Sequence, residues 1–517
     1  MSSSGGALIP AGWHTWLSVV TLAVIGKGLA FLREPVIAAV FGTNSSADAY
    51  YLAIGLPFFF YNLIGLPFSV WVTARLSAGD RGSPGESPRV FFTRALWWGF
   101  GASAVAALGL ASLSRGMVHV YAPGLTGDRL DAAAALTRLG AVAVPALVLQ
   151  AVCSARLFAQ HRFVPVYAWL SVGSLVGLAG VLLLVPTYGA LGAVLAFIAA
   201  WWTTGLGLLA MPRHPVTEVS PIPMVPWTED VGSGVVYRAV AMQVFFQGSG
   251  LLVYSFASHL AAGEIAAVLF ASKITMAVYE SIVLTAGVLV FPRIARFLQD
   301  GDEGAVGRTV MDALNWLVPV TVAFTLLLAV SRTELVTLIY RRRAFDERAT
   351  ALVSQALLGY APYIVGITLV EILHRAMVLR GRMAGYLMVF GGGLLMNWIA
   401  CMWLLPLLGA MGVALGSSIG VLAAGAGLWS YAHRRLPSLE PQPIVLLMGR
   451  TVTAGAVVLL LITAVRPRIP MPTSVVGQLV LLVGGMLSAG SVFAGVLFLL
   501  GYRWHLFSHS ADRGATA

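Results

Sequence analysis

Charge is scarce in this chain of 517 residues: Asp, Glu, Lys and Arg together make up only 10%. A water-soluble protein of this size carries about a quarter, so a soluble globular fold is excluded. Lysine is nearly missing. Of 32 basic residues only Lys27 and Lys273 are lysines, and both lie inside apolar stretches. The two cysteines, Cys153 and Cys401, fall in separate apolar segments, so neither a disulfide framework nor a cysteine metal site is indicated. His119, His259 and His374 show no ligand spacing. Walker loops, dinucleotide fingerprints and paired-carboxylate motifs are missing too, so nothing points to ATP hydrolysis or glycosyl transfer. No cofactor and no nucleic-acid partner is expected. The opening MSSSGGALIPAGWHTW has no basic n-region, and the apolar run behind it is too long for a signal-peptide core. It reads as a retained first span.

What the chain does have is hydrophobicity, 58% of residues, with a mean hydropathy of +0.86. Apolar runs of about 20 residues recur from end to end, each long enough to cross a bilayer as a helix. The short alternating segments of a β-barrel do not occur. The expected fold class is an all-α polytopic membrane protein with about fourteen transmembrane helices. They are placed at 14–41, 49–76, 91–114, 133–158, 163–185, 189–210, 235–260, 264–292, 308–331, 350–374, 384–405, 410–432, 444–465 and 474–501. With the N-terminus inside, nineteen arginines fall in cytoplasmic segments and ten in outer ones. That bias predicts two cytoplasmic termini. Five of the ten outer arginines crowd one loop: Arg332, Arg341, Arg342, Arg343 and Arg348.

Residues 220 apart repeat. Arg162, Gly173, Leu184, Pro186, Gly189, Ala190, Gly192, Leu195, Gly205 and Gly207 recur as Arg382, Gly393, Leu404, Pro406, Gly409, Ala410, Gly412, Leu415, Gly425 and Gly427. The copies are six spans apart, an even number, which predicts two parallel six-helix halves as in several transporter designs. The expected organisation is a first half over 1–210, a proline-rich cytoplasmic linker over 211–234, a second half over 235–435, two appended helices over 436–501 and a cytoplasmic tail over 502–517.

Ionisable residues at mid-bilayer cost about 2.5–3.5 kcal/mol on insertion scales, and they usually face a bundle interior or a wet cavity. Span one carries Lys27, Arg33 and Glu34, with Pro35 allowing a bend. Lys27 and Glu34, seven apart, share a helix face. One reading is a structural Lys27–Glu34 contact, the other an anion site lined by Lys27 and Arg33. In span eight Lys273 and Glu280 repeat the spacing of seven; Glu280 is placed to neutralise Lys273, and a pyrophosphate would do so with more acceptor oxygens. Lysines snorkelling to the interface are the alternative. Asp48, at the start of span two, reads either as an N-cap or as a gating or cation-linked group. Glu371 and Arg375, four apart, read by default as a helix-stabilising pair. Tyr61 and Asn62 are secondary candidates.

The segment G-K-G-L-A-F-L-R-E-P-V-I-A-A-V-F-G-T-N-S-S-A-D-A-Y-Y-L-A-I-G-L-P, residues 26–57, resembles the MurJ/MviN family of lipid II flippases within the multidrug/oligosaccharidyl-lipid/polysaccharide exporter superfamily. That family carries R-x-x-G-x-x-R-[DE] and then F-G-(x)n-D-A-[FY]. Further likenesses are A-S-K-I with Phe291-Pro292, Y-R-R-R-A-F at 340–345 and H-R-A-M-V-L-R-G-R at 374–382. The resemblance runs over nearly the whole chain. It implies fourteen spans, a basic outer loop and a groove for a prenyl tail at the two appended helices. It places the family's cavity arginines on Lys27, Arg33 and Lys273, and its first-loop aspartate on Asp48. Two arginines have become lysines, which lose bidentate phosphate geometry. The family's paired arginines late in span two become Tyr61-Asn62, its Glu-Gly becomes Leu66-Pro67, and the Asp before the span-eight Arg becomes Ser272.

These features imply a flippase of the bacterial inner membrane, not an enzyme, monomeric, surrounded by membrane lipids and open to cell-envelope synthesis partners, carrying an undecaprenyl-pyrophosphate-linked glycan outward by alternating access. The pyrophosphate would meet Lys27, Arg33 and Lys273, while Glu34, Asp48 and Glu280 stand as coupling or gating carboxylates. The driving force stays open between a monovalent cation and the membrane potential. The departures leave room for an exopolysaccharide or O-antigen repeat unit as cargo. Other readings are a drug/cation antiporter of the same superfamily, which would prefer carboxylates at the cavity centre, and a non-transporting scaffold of a cell-envelope complex.

Overall fold

The computed structural model describes residues 13–78, 87–212, 229–378, 383–436, 439, 441–465 and 475–502. Most of the expected linker, Arg380, Arg382 and nearly all of the expected tail lie outside them. Every regular element among the described residues is helical. Contacts divide the chain into two units, one of residues 1–227 with Arg342–Phe345, the other holding the remainder.

The first unit contains α1 (Trp13–Phe41), α2 (Ser45–Phe60), a π-helical turn (Tyr61–Gly65), α3 (Leu66–Ala78), α4 (Pro88–Ser112), α5 (Ser114–Tyr121), α6 (Gly127–Gly140), α7 (Ala143–Ala159) and α8 (Phe163–Leu209). Its core forms where α3, α4 and α8 close on α7, through Val72, Phe91, Phe92, Val148, Val152 and Val166. Nearly every α7 residue is buried. The segment Arg342–Phe345 belongs here as well: Ala344 N–H donates to the Ala39 carbonyl at 3.1 Å. Gly42, at φ +58°, leaves room that a Cβ would take from the Ala344 carbonyl.

The second unit contains α9 (Glu229–Ala257), α10 (Glu264–Tyr279), a π-helical turn (Glu280–Leu284), α11 (Thr285–Gln299), α12 (Glu303–Val330), α13 (Arg332–Tyr340), α14 (Glu347–Tyr360), α15 (Tyr363–Met377), α16 (Met383–Leu408), α17 (Ala410–His433), α18 (Pro441–Val465) and α19 (Val475–Leu499). Helix α15 is almost wholly buried, as α7 is in the first unit.

A helix of 47 residues such as α8 would run roughly 70 Å, over twice the hydrocarbon thickness. It is broken at Gly189, whose φ of 57° and ψ of −135° leave the helical region. The repeat recurs in three dimensions at this point: Gly409, between α16 and α17, has φ 55° and ψ −130°. Three residues on, a Cβ on Gly192 would run into the Leu184 carbonyl, and one on Gly412 into the Leu404 carbonyl. The P-x-x-G-A-x-G pattern thus encodes one tight helical turn-back, used twice.

Among the described residues, ten helices are long and apolar enough to cross a membrane, or eleven if the bent pair α6–α7 counts as one span. The exposed faces carry Trp97, Trp98, Leu183, Trp403 and Leu407, the surface of a protein solvated by lipid tails rather than water.

Candidate functional site

Three buried carboxylates, Glu34, Asp48 and Glu371, are each ion-paired with an arginine. The first is on α1. Glu34 is only 2% exposed, and its oxygens take Arg33 Nη2 at 3.3 Å and the Tyr51 hydroxyl at 2.6 Å. A buried carboxylate needs such partners, because desolvation penalises an unpaired charge. Gly177 of α8 leaves space beside the Arg33 guanidinium. The Tyr50 hydroxyl and Arg33 Nε are buried with no hydrogen-bond partner. Lys27 lies two helical turns earlier on the exposed side of α1.

The second cluster is at the start of α2. Asp48 does not cap this helix. Asn44 does, accepting hydrogen bonds from the Ser46 and Ala47 N–H groups. The helix begins four residues earlier than expected, which moves Asp48 inside the first turn. There it is buried and paired with Arg129 of α6 at 3.3 Å.

The third is in the second unit. Glu371 and Arg375 of α15 are ion-paired one turn apart, with Glu371 buried. The Tyr279 hydroxyl donates to Glu371 at 3.4 Å. The Arg375 guanidinium also lies 5.9 Å from the Phe291 ring centroid, within cation–π range. Gly287 of α11 makes this possible, since a Cβ there would meet Arg375 Nε. The pair that reads as helix-stabilising in sequence also meets Tyr279 and Phe291 in the structure.

Lys273 is half-buried on α10, and no ion pair joins it to Glu280 among the described residues. Glu280 opens the π-helical turn. Tyr61 and Asn62 open the corresponding turn of the first unit, where Phe58 contacts Tyr61, Phe197 and Trp201 edge-on. Lys27 and Arg33 thus belong to the first unit and Lys273 to the second.

Several residues escaped the sequence reading. Arg129 counted only as an outer-loop charge, and Arg156 only as a cytoplasmic one. Arg156 is buried at the end of α7, where Nη2 donates to the Leu208 and Met211 carbonyls at 3.5 and 3.3 Å and the guanidinium lies 4.9 Å from the Phe92 ring centroid. It closes the C-terminus of α8, where cations are favoured. A neutral polar island links α9 to α16: Asn397 donates to Ser249 Oγ at 2.8 Å, and Cys401 Sγ donates to Asn397 Oδ1 at 3.3 Å.

Buried ion pairs and a twice-used turn-back thus belong to a multi-pass helical membrane protein. The sequence model of the family described as lipid II flippase MurJ matches residues 37–484. The chain belongs to that family. A solved structure of the lipid II flippase MurJ in an inward closed conformation is similar at a TM-score of 0.74 and 16% identity, over 94% of this chain and 100% of that one. An inward-facing multidrug resistance MATE family transporter of the MOP superfamily follows at 0.66 and 14%, covering 82% and 98%. A MOP superfamily transporter from Pyrococcus furiosus gives 0.59 and 14%, covering 82% and 95%. At these identities the structural likenesses speak for the fold alone.

Proposed function

We propose that this protein flips an undecaprenyl-pyrophosphate-linked glycan, lipid II or a related cell-envelope precursor, from the cytoplasmic to the outer leaflet by alternating access. Family membership over 37–484 carries the reading. Arg33, 16% exposed within an apolar span, supports it, with Lys27 and Lys273 as the further cations of the pyrophosphate site. Cations held in low dielectric attract a diphosphate far more strongly than surface charges do. Counting α8 as two spans and adding α1 and α9 gives fourteen spans, arranged as two parallel halves and an appended pair, with both termini cytoplasmic. The prenyl tail lies along the appended helices α18 and α19, whose exposed faces carry Val445, Leu460, Leu487 and Leu499. The protein works as a monomer, driven by a monovalent cation gradient or the membrane potential.

Replacement of the family's arginines by Tyr61-Asn62 favours a second reading, in which the glycan is an exopolysaccharide or O-antigen repeat unit. The test is rescue of cells depleted of their lipid II flippase. Wild-type protein is expected to restore growth, and Arg33→Ala or Lys273→Ala to abolish it at equal expression. Intact rescue by both variants overturns the anion site. Failure of well-expressed wild type, with flipping of an O-antigen precursor in vesicles, selects the second reading.

A further inference from the structure

Arg33 and Glu34 are neighbours of opposite charge, so an anion that binds one must contend with the other. Glu34 is almost wholly buried, with its oxygens on Arg33 Nη2 and Tyr51 Oη. Among the elements packed on α1, the segment Arg342–Phe345, bonded to the Ala39 carbonyl, brings Arg342 and Arg343. Helix α8, packed along α1, contains no Asp, Glu, Lys, Arg or His between 163 and 209; its titratable groups are Tyr167 and Tyr188. From α2 come Tyr50 and Tyr51, with Tyr50 close enough to feel both Arg33 and Glu34, and Asp48, which is paired with Arg129. On α1 itself Lys27 lies two turns away and is exposed, whereas Glu34 is buried.

Two further atoms mark this place. Arg33 Nε and Tyr50 Oη are buried donors with no hydrogen-bond partner, which native proteins seldom tolerate without a functional reason. Both suit phosphate oxygens, and a guanidinium is built to present two N–H groups to one phosphate. A diphosphate reaching Arg33 would stand beside the Glu34 carboxylate in a medium that screens poorly. Two anions so close raise each other's affinity for a proton.

We propose that Glu34 takes up one proton as the pyrophosphate engages Arg33 and releases it when the substrate leaves, so that cargo and proton are exchanged together at one site. This rests on the anion-site reading above. The proton comes from water on the side to which the site is open. It forms an O–H bond on Glu34, Arg33 is released from its neighbour to the phosphate, and the same proton returns to water on unloading. The Tyr51 hydroxyl, which donates to the carboxylate, can accept from the protonated acid. By linkage, affinity then rises as pH falls, by up to roughly tenfold per pH unit between the proton affinities of free and loaded Glu34.

The experiment is calorimetry on the full-length protein in detergent. The probe is a short-chain prenyl-diphosphoryl-N-acetylglucosamine, a diphosphate diester whose own charge is constant from about pH 5 to about pH 8. Buffers of different ionisation enthalpy report the protons taken up. Wild type is expected to bind more tightly toward low pH and to take up close to one proton per probe. Glu34→Gln should bind with a flat pH profile and no uptake. Tyr51→Phe, which keeps the carboxylate but removes its donor, should move the profile to higher pH. Binding by wild type without pH dependence or uptake overturns the proton linkage and leaves the anion site standing, as does a Glu34→Gln profile like that of wild type. If folded, monodisperse wild type binds no probe at any pH, or Arg33→Ala binds as wild type does, the anion site falls and the linkage with it.

Discussion

The two π-helical turns, Tyr61–Gly65 and Glu280–Leu284, interrupt corresponding helices in the two units but are packed with opposite chemistry. In the first unit the helix facing the turn carries Ala151 and Ala155, small and buried, and α3 supplies the large Phe68. In the second, the residues 220 positions later are Glu371 and Arg375, and the position 219 after Phe68 is Gly287. Bulk has moved from one helix to the other. Cores tolerate exchange best when total volume is conserved. The pair teaches that an interrupted helix can be wedged by hydrocarbon or by a salt bridge, provided the facing helix yields the space.

That comparison can be broken at the ion pair, where the largest effect is expected. Glu371→Ala leaves Arg375 buried beside Phe291 and should cost about 3–5 kcal/mol, read as a lower midpoint in thermal unfolding of the purified protein. Converting the site to its counterpart, with Glu371→Ala, Arg375→Ala and Gly287→Phe together, should recover much of that loss. A triple variant no better than Glu371→Ala with Arg375→Ala would refute the exchange of volume. The turn-backs sharpen the same comparison. Gly192→Ala and Gly412→Ala each push a Cβ into a carbonyl and should destabilise by about 1–3 kcal/mol. Their effects should match, since the two surroundings do; a large inequality would show that one turn-back bears more load. The smallest effect lies at the helix starts. Asn44→Ala should cost about 1 kcal/mol and Asn44→Gly only a few tenths. The start of α10 offers no such variant, because Gly263 precedes it at φ 89° without a side-chain cap.

Much of this was legible from local pattern. Apolar run length marks a span because the bilayer sets one thickness, and Pro186, Gly189 and Gly192 announce their turn because a positive φ and a close carbonyl both select glycine. The buried charges of α1 and α15 could be named in advance, since ionisable residues stand out in hydrocarbon. Their partners could not. Asp48 meets Arg129 from 81 residues away, and the Gly287 that admits Arg375 looks like any other glycine in a chain with 56. The π-helical turns left no compositional trace, because a π turn differs from an α turn in its hydrogen-bond register and not in the residues it requires.

The sequence by itself determined that this chain lives in a membrane, that it repeats a structural unit and that a few charged side chains must be sheltered there. Tertiary structure decided which acid shelters with which base: Glu34 with Arg33 and Tyr51, Asp48 with Arg129, Glu371 with Arg375 and Tyr279. The physical reason is that low dielectric makes pairing obligatory for any buried charge, whereas the choice of partner depends on which helix faces pack together.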